Sequence, residues 1–141
     1  MRTLRAVFVV HGLITLAGAI VLTAFPTAIP AVAGITITRP DYLLVYLVAA
    51  AEFAVAVLSF GATRITDWAA LRLIVTTFVV LHLVSGVLDL VYMGQTEVNG
   101  RLLVNTVLRF TVVAVFLAVW RVSRPHHTPG TSRCTFCVYS R

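Results

Sequence analysis

The sequence predicts an all-α protein, a four-helix transmembrane bundle with both termini in the cytoplasm. Three observations predict it. Of the 141 residues, 60% are hydrophobic and 11% charged, against roughly 25% charged in soluble domains. The mean hydropathy is +0.98, and a soluble chain this short has no interior large enough to hide that much apolar surface. Four separate stretches reach the length of about 20 apolar residues that crosses a bilayer, and arginines gather at alternate flanks of them.

The first span is "AVFVVHGLITLAGAIVLTAF", residues 6–25. Arg2 and Arg5 precede it, as in a signal peptide, but a secretory apolar region is only about 7–15 residues long. This one is longer and carries His11, so a retained helix is expected. The second span is "LLVYLVAAAEFAVAVLSFGA", residues 43–62; the third is 71–93 and the fourth 102–120. Valine disfavours helix in water, yet backbone polar groups in hydrocarbon must be satisfied within the segment, so helices are expected throughout. Residues 1–122 then form one transmembrane domain and 123–141 a disordered cytoplasmic tail.

Every basic residue is arginine. That suggests a GC-rich bacterial genome and hence the inner membrane. Arg2, Arg5, Arg64, Arg72, Arg121, Arg124, Arg133 and Arg141 would share one side, while Arg39 and Arg101 lie opposite beside Asp41 and Glu97. The positive-inside rule makes the first side cytoplasmic. The net charge of +6 does not indicate nucleic acid, because the arginines are spread over span ends and form no basic face. In the apolar outer loop 26–42, Pro26 ends the first span, and the loop either lies along the interface or caps the bundle. Thr66 or Asp67 suits the N-cap of the third span.

Ionisable residues inside spans are costly and usually face the bundle interior with partners. The third span holds "LHLVSGVLDL", in which His82, Ser85, Gly86 and Asp89 follow helical spacing on one face. Glu52 sits in the second span, on a face with Ala49, Ala56 and Ser59, while Asn105 and Arg109 share a face of the fourth. At helical rise Arg109 lies roughly 10 Å and Glu52 roughly 13 Å below the outer edge. Glu52, His82, Asp89 and Arg109 therefore overlap in depth, with Asn105 close by. Arg109 is expected to pair with Asp89, Glu52 or both, and His82 to bond Glu52. Such a cluster can also be structural glue between helices. His11, Thr15 and Gly18 form a further stripe in the first span. His11 and His82 are of the residue type that holds a haem, but counted from the span starts their depths differ by roughly 9 Å. No cofactor is expected; a haem b or a quinone is the alternative these residues leave open.

The tail offers His126, His127, Cys134 and Cys137, zinc ligands in kind but not in the spacing of a common finger. No P-loop, G-x-G-x-x-G or G-x-S-x-G motif is present.

The N-terminal Arg before a Gly-bearing helix ("LRAVFVVHGLITLAGAI"), the Pro-containing outer loop and the polar later helices resemble small four-helix bacterial membrane proteins of the DoxX-like kind. The resemblance is one of topology over most of the chain. It implies a link to quinone or thiol redox systems. Small multidrug exporters also have four short helices and a buried Glu, but theirs is in the first helix, where this chain has His11. Three functions follow as expectations. One is a non-enzymatic accessory subunit in a membrane complex. A second is a proton-coupled small-molecule transporter acting as a homodimer. The third is a membrane redox component of a quinone system.

Overall fold

A computed structural model of the chain describes residues 2–96 and 98–123. Glu97, the tail beyond Ser123, and with it His126, His127, Cys134 and Cys137, lie outside the described residues. The elements are α1 (Arg2–Ala24), a short α2 (Ala28–Val32), a 3-10 turn (Arg39–Asp41), α3 (Tyr42–Ala62), α4 (Trp68–Gln95) and α5 (Gly100–Ser123). Four of the helices are long and apolar enough to cross a membrane. They match the expected spans to within a few residues, running past most of their ends, while α1 stops at Ala24, one residue short of the expected end of the first. Their outward faces suit lipid rather than water: Val57, Leu73 and Val104 are 71%, 69% and 69% exposed.

The bundle is two hairpins. α1 packs antiparallel on α3, and α4 on α5, while contact between the hairpins is sparse. Small residues allow the close approach within each pair. A Cβ on Gly12 would stand 2.9 Å from the Phe60 ring, and one on Gly86 would stand 3.1 Å from Phe110. Ala19, Ala49 and Ala56 are buried between α1 and α3 or beside that seam.

The described ends, Arg2 and Ser123, lie at the same end of the bundle, here the terminal end; α2 marks the loop end. The large apolar cluster sits at the terminal end and draws on all four long helices, with Phe8, Phe78 and Phe116 fully buried at its centre. Their ring centroids are 5.6 to 6.2 Å apart. Trp68 and Trp120 stack edge-on nearby at 5.4 Å. Toward the loop end the cluster shrinks to Leu22, Val45 and Ala49, all from the α1/α3 hairpin, while Met93 and Leu102 are buried on the other hairpin outside it. Apolar packing therefore joins the two hairpins at one end, and polar side chains occupy the seam at the other.

Local signals set the connections. Asp67 caps α4, accepting from the backbone N–H groups of Ala69 and Ala70 at 3.3 and 2.9 Å. Asp41 accepts from the Thr38 N–H and hydroxyl, both at 2.8 Å, and so fixes the entry to α3. Asn99 accepts from the Arg101 N–H at the start of α5 and donates its amide to the Ala33 carbonyl at 2.8 Å. The loop after α2 is thereby tied over the bundle end, the capping alternative of the sequence reading. Gly34 permits this turn with φ of +77°, in the left-handed region that a Cβ disfavours.

Candidate functional site

Polar side chains from four helices meet in the seam, in two layers. The layer nearer the aromatic cluster contains His11 on α1, Ser59 on α3 and His82 on α4. His11 Nδ1 lies 2.8 Å from Ser59 Oγ, and His11 Nε2 lies 2.8 Å from His82 Nε2. The His11 ring rests against Phe78 and Phe116, with centroids 4.7 and 5.3 Å away. The aromatic cluster thus seals this layer on its terminal side.

The proton positions follow from counting. The Ser59 hydroxyl lies 2.8 Å from the Val55 carbonyl one turn back. Two acceptor lone pairs cannot share so short a contact, so the hydroxyl proton points at Val55 O. Ser59 Oγ therefore accepts from His11 Nδ1–H. With both rings neutral, as an apolar interior with no carboxylate in contact requires, His11 Nε2 is a bare acceptor and His82 Nε2–H donates to it. A directed chain results: His82 to His11, His11 to Ser59, Ser59 to a backbone carbonyl. His82 Nδ1 is left as a lone pair, buried and without a hydrogen-bond partner among the described residues.

The second layer lies two helical turns toward the loop end, since Glu52 precedes Ser59 by seven residues and Asp89 follows His82 by seven. Asp89 Oδ2 accepts from Asn105 Nδ2 at 3.1 Å and from the Thr106 hydroxyl at 3.3 Å. Arg109 Nε stands 3.3 Å from the same oxygen, an ion pair without hydrogen-bond alignment. Their side chains are 28% and 20% exposed. Glu52 is half-buried on the facing hairpin, seven residues before Ser59 on the same face of α3. Among the described residues no hydrogen bond or ion pair reaches its carboxylate.

The expected stripe on the third span does face inward: His82, Ser85 and Asp89 are partly buried and Gly86 fully so. Among the described residues Ser85 has no hydrogen-bond partner. Arg109 pairs with Asp89, as anticipated. His82 does not bond Glu52; its partner is His11, so that expectation is corrected. The anticipated 9 Å offset between the two histidines is corrected with it. Phe8 faces Phe78, so α4 begins roughly one turn below the start of α1. Counting depth from the onset of each apolar stretch missed that overhang. The direct contact also bears on haem: a metal between two imidazoles stands about 2.0–2.1 Å from each nitrogen, which separates them by about 4 Å, and here the nitrogens are 2.8 Å apart. Among the described residues no three His, Cys, Asp or Glu side chains group as metal ligands.

Ser59 and Thr106 were not singled out as polar partners by sequence. The seven-residue step from Glu52 to Ser59 was the available signal. For Thr106 it was adjacency to Asn105. Compared with family models, curated proteins and solved structures, the chain finds no match. The DoxX-like likeness is thus one of layout, without shown homology.

Proposed function

We propose that the chain is a non-enzymatic, multi-pass protein of the bacterial inner membrane that serves as an accessory subunit of a larger membrane complex, its termini in the cytoplasm. The observation that carries this reading is where the polar bonds end. The histidine chain terminates on the Val55 carbonyl, and Asp89 takes two hydrogen-bond donors and the Arg109 ion pair from α5. These groups hold together helices whose hairpins share little apolar contact at the loop end. Such use of buried polar groups is structural, and a chain that ends on a carbonyl does not pass a proton onward. Purification from native membranes in mild detergent, with mass spectrometry of the co-purifying proteins, tests the reading. A reproducible stoichiometric partner is expected, and recovery of this chain alone would overturn it.

A second reading, a proton-coupled transporter acting as a dimer, draws on Glu52. It is a carboxylate within a membrane span that lacks a donor among the described residues. Glu52→Gln would then abolish transport in proteoliposomes while leaving the protein folded. The DoxX-like layout adds a redox link by resemblance only.

A further inference from the structure

Outside the seam, positive charge gathers at one end of the bundle. Arg2, Arg5, Arg64, Arg72 and Arg121 stand at the terminal end, and all are exposed. Among the described residues none of their guanidinium groups has a hydrogen bond or an ion pair. The described carboxylate at this end, Asp67, is taken up in capping α4. Each long helix supplies at least one of these arginines, at its end or just past it. Arg5 lies twenty residues from Phe25, Arg72 twenty from Tyr92 and Arg121 twenty from Arg101. At helical rise each step is about 30 Å, the thickness of the hydrocarbon core of a bilayer. The arginines therefore ring the bundle where hydrocarbon gives way to headgroups. Trp68 and Trp120, stacked at this same end, are the aromatic residues that favour that boundary.

The neighbours of the ring show which surface it faces. Val9, one turn after Arg5, is 40% exposed, and Leu73 and Val122, next to Arg72 and Arg121, are 69% and 86% exposed. The arginines thus border the apolar flank of the bundle that acyl chains cover. A guanidinium forks onto phosphate oxygens, and a bilayer presents phosphates at this depth. A zwitterionic lipid carries its own ammonium beside the phosphate, whereas an anionic lipid leaves the phosphate uncompensated. At the loop end the described charges outside the spans are Arg39 and Arg101 with Asp41, so the excess of unpaired cations lies at the terminal end.

We propose that the terminal end of the bundle binds anionic phospholipids. The arginine ring holds their phosphates, and the flank below it takes their acyl chains. The proposal rests on the membrane-spanning character of the four helices and is independent of the accessory role.

The chain has two tryptophans, and both lie at this end, so their fluorescence reports on it alone. The full chain is reconstituted in mixtures of phosphatidylcholine and phosphatidylglycerol, with brominated acyl chains on one lipid or the other. Bromine quenches at short range, and the two quenching curves give the relative binding constant at the terminal end. It should favour phosphatidylglycerol at least about threefold at low salt and fall toward unity in about 1 M sodium chloride. Arg5→Gln, Arg72→Gln and Arg121→Gln in one chain should abolish most of the preference; Arg39→Gln with Arg101→Gln should leave it unchanged. An unshifted tryptophan emission maximum identifies a folded variant, and the parent chain alone decides if the triple variant does not fold. A ratio of one in the parent at low salt would overturn the proposal and leave the ring to an acidic protein surface. A folded triple variant with the full preference would overturn it too. Inorganic phosphate that lowers the ratio further than chloride at equal ionic strength would assign the ring to free phosphate instead. Whether a partner co-purifies reports on the accessory reading separately.

Discussion

Asp89→Ala is the perturbation that most directly loads the second polar layer. It strips Arg109 of its ion pair and takes the acceptor from Asn105 Nδ2 and the Thr106 hydroxyl. Thr106 retains the Leu102 carbonyl at 3.0 Å, so its loss is small. Asn105 loses the partner it has here, a contribution of about 0.6 kcal/mol for an average interhelical hydrogen bond in a membrane. An unpaired arginine at the helix centre costs about 2.5–3.5 kcal/mol on insertion scales. The 28% and 20% exposure of the two side chains lets water or headgroups screen part of that, so a net destabilisation of about 2 kcal/mol is expected. Reversible unfolding by SDS titration in mixed micelles measures it. Asp89→Ala/Arg109→Ala should recover at least half of the loss, because no unmatched charge remains. A single variant within about 0.5 kcal/mol of the parent, the range of inert surface changes, would refute the reasoning. So would a double variant as unstable as the sum of the singles.

Ser59→Ala should destabilise the same titration by about 1–2 kcal/mol, because His11 Nδ1–H loses its buried acceptor. Ser59→Thr, which keeps the hydroxyl, should retain more of the stability wherever its methyl fits. Gly12→Ala should cost about 1–3 kcal/mol through overpacking against Phe60, and Phe60→Leu in the same chain should restore most of it. If Gly12→Ala is neutral alone, the α1/α3 approach is looser than described. Gly34→Ala meets both a positive φ and Asn99 Nδ2 2.8 Å from the new Cβ. It should expose the loop after α2 to protease at least several-fold faster, with a strain of about 1–3 kcal/mol; unchanged cleavage would contradict the tie between Asn99 and Ala33.

The four helices and the inward stripe of α4 were legible because bilayer thickness and helical period act on the chain locally. The Asp89–Arg109 pair was legible for a related reason: unlike charges at one depth in hydrocarbon have few other partners. The His11–His82 contact was not, because it depends on how far α4 overhangs α1, and the aromatic cluster rather than hydropathy sets that register. Ser59 and Thr106 were silent for another reason. A hydroxyl in a membrane helix can satisfy itself on the carbonyl one turn back, as Thr23, Thr77 and Thr111 do here, so its presence does not announce a tertiary bond. Glu52 was expected to bond His82, whose partner is His11 instead. The two-turn offset between the layers separates it from the histidines.

The central claim is that a directed hydrogen-bond chain joins the hairpins and leaves His82 Nδ1 bare. Solid-state 15N NMR of histidine-labelled protein in lipid, with resonances assigned by single substitution, reads it directly. The account predicts Nδ1–H at His11, Nε2–H at His82 and a correlation between the two Nε2 atoms. A proton on His82 Nδ1, or no correlation between the rings, would contradict it.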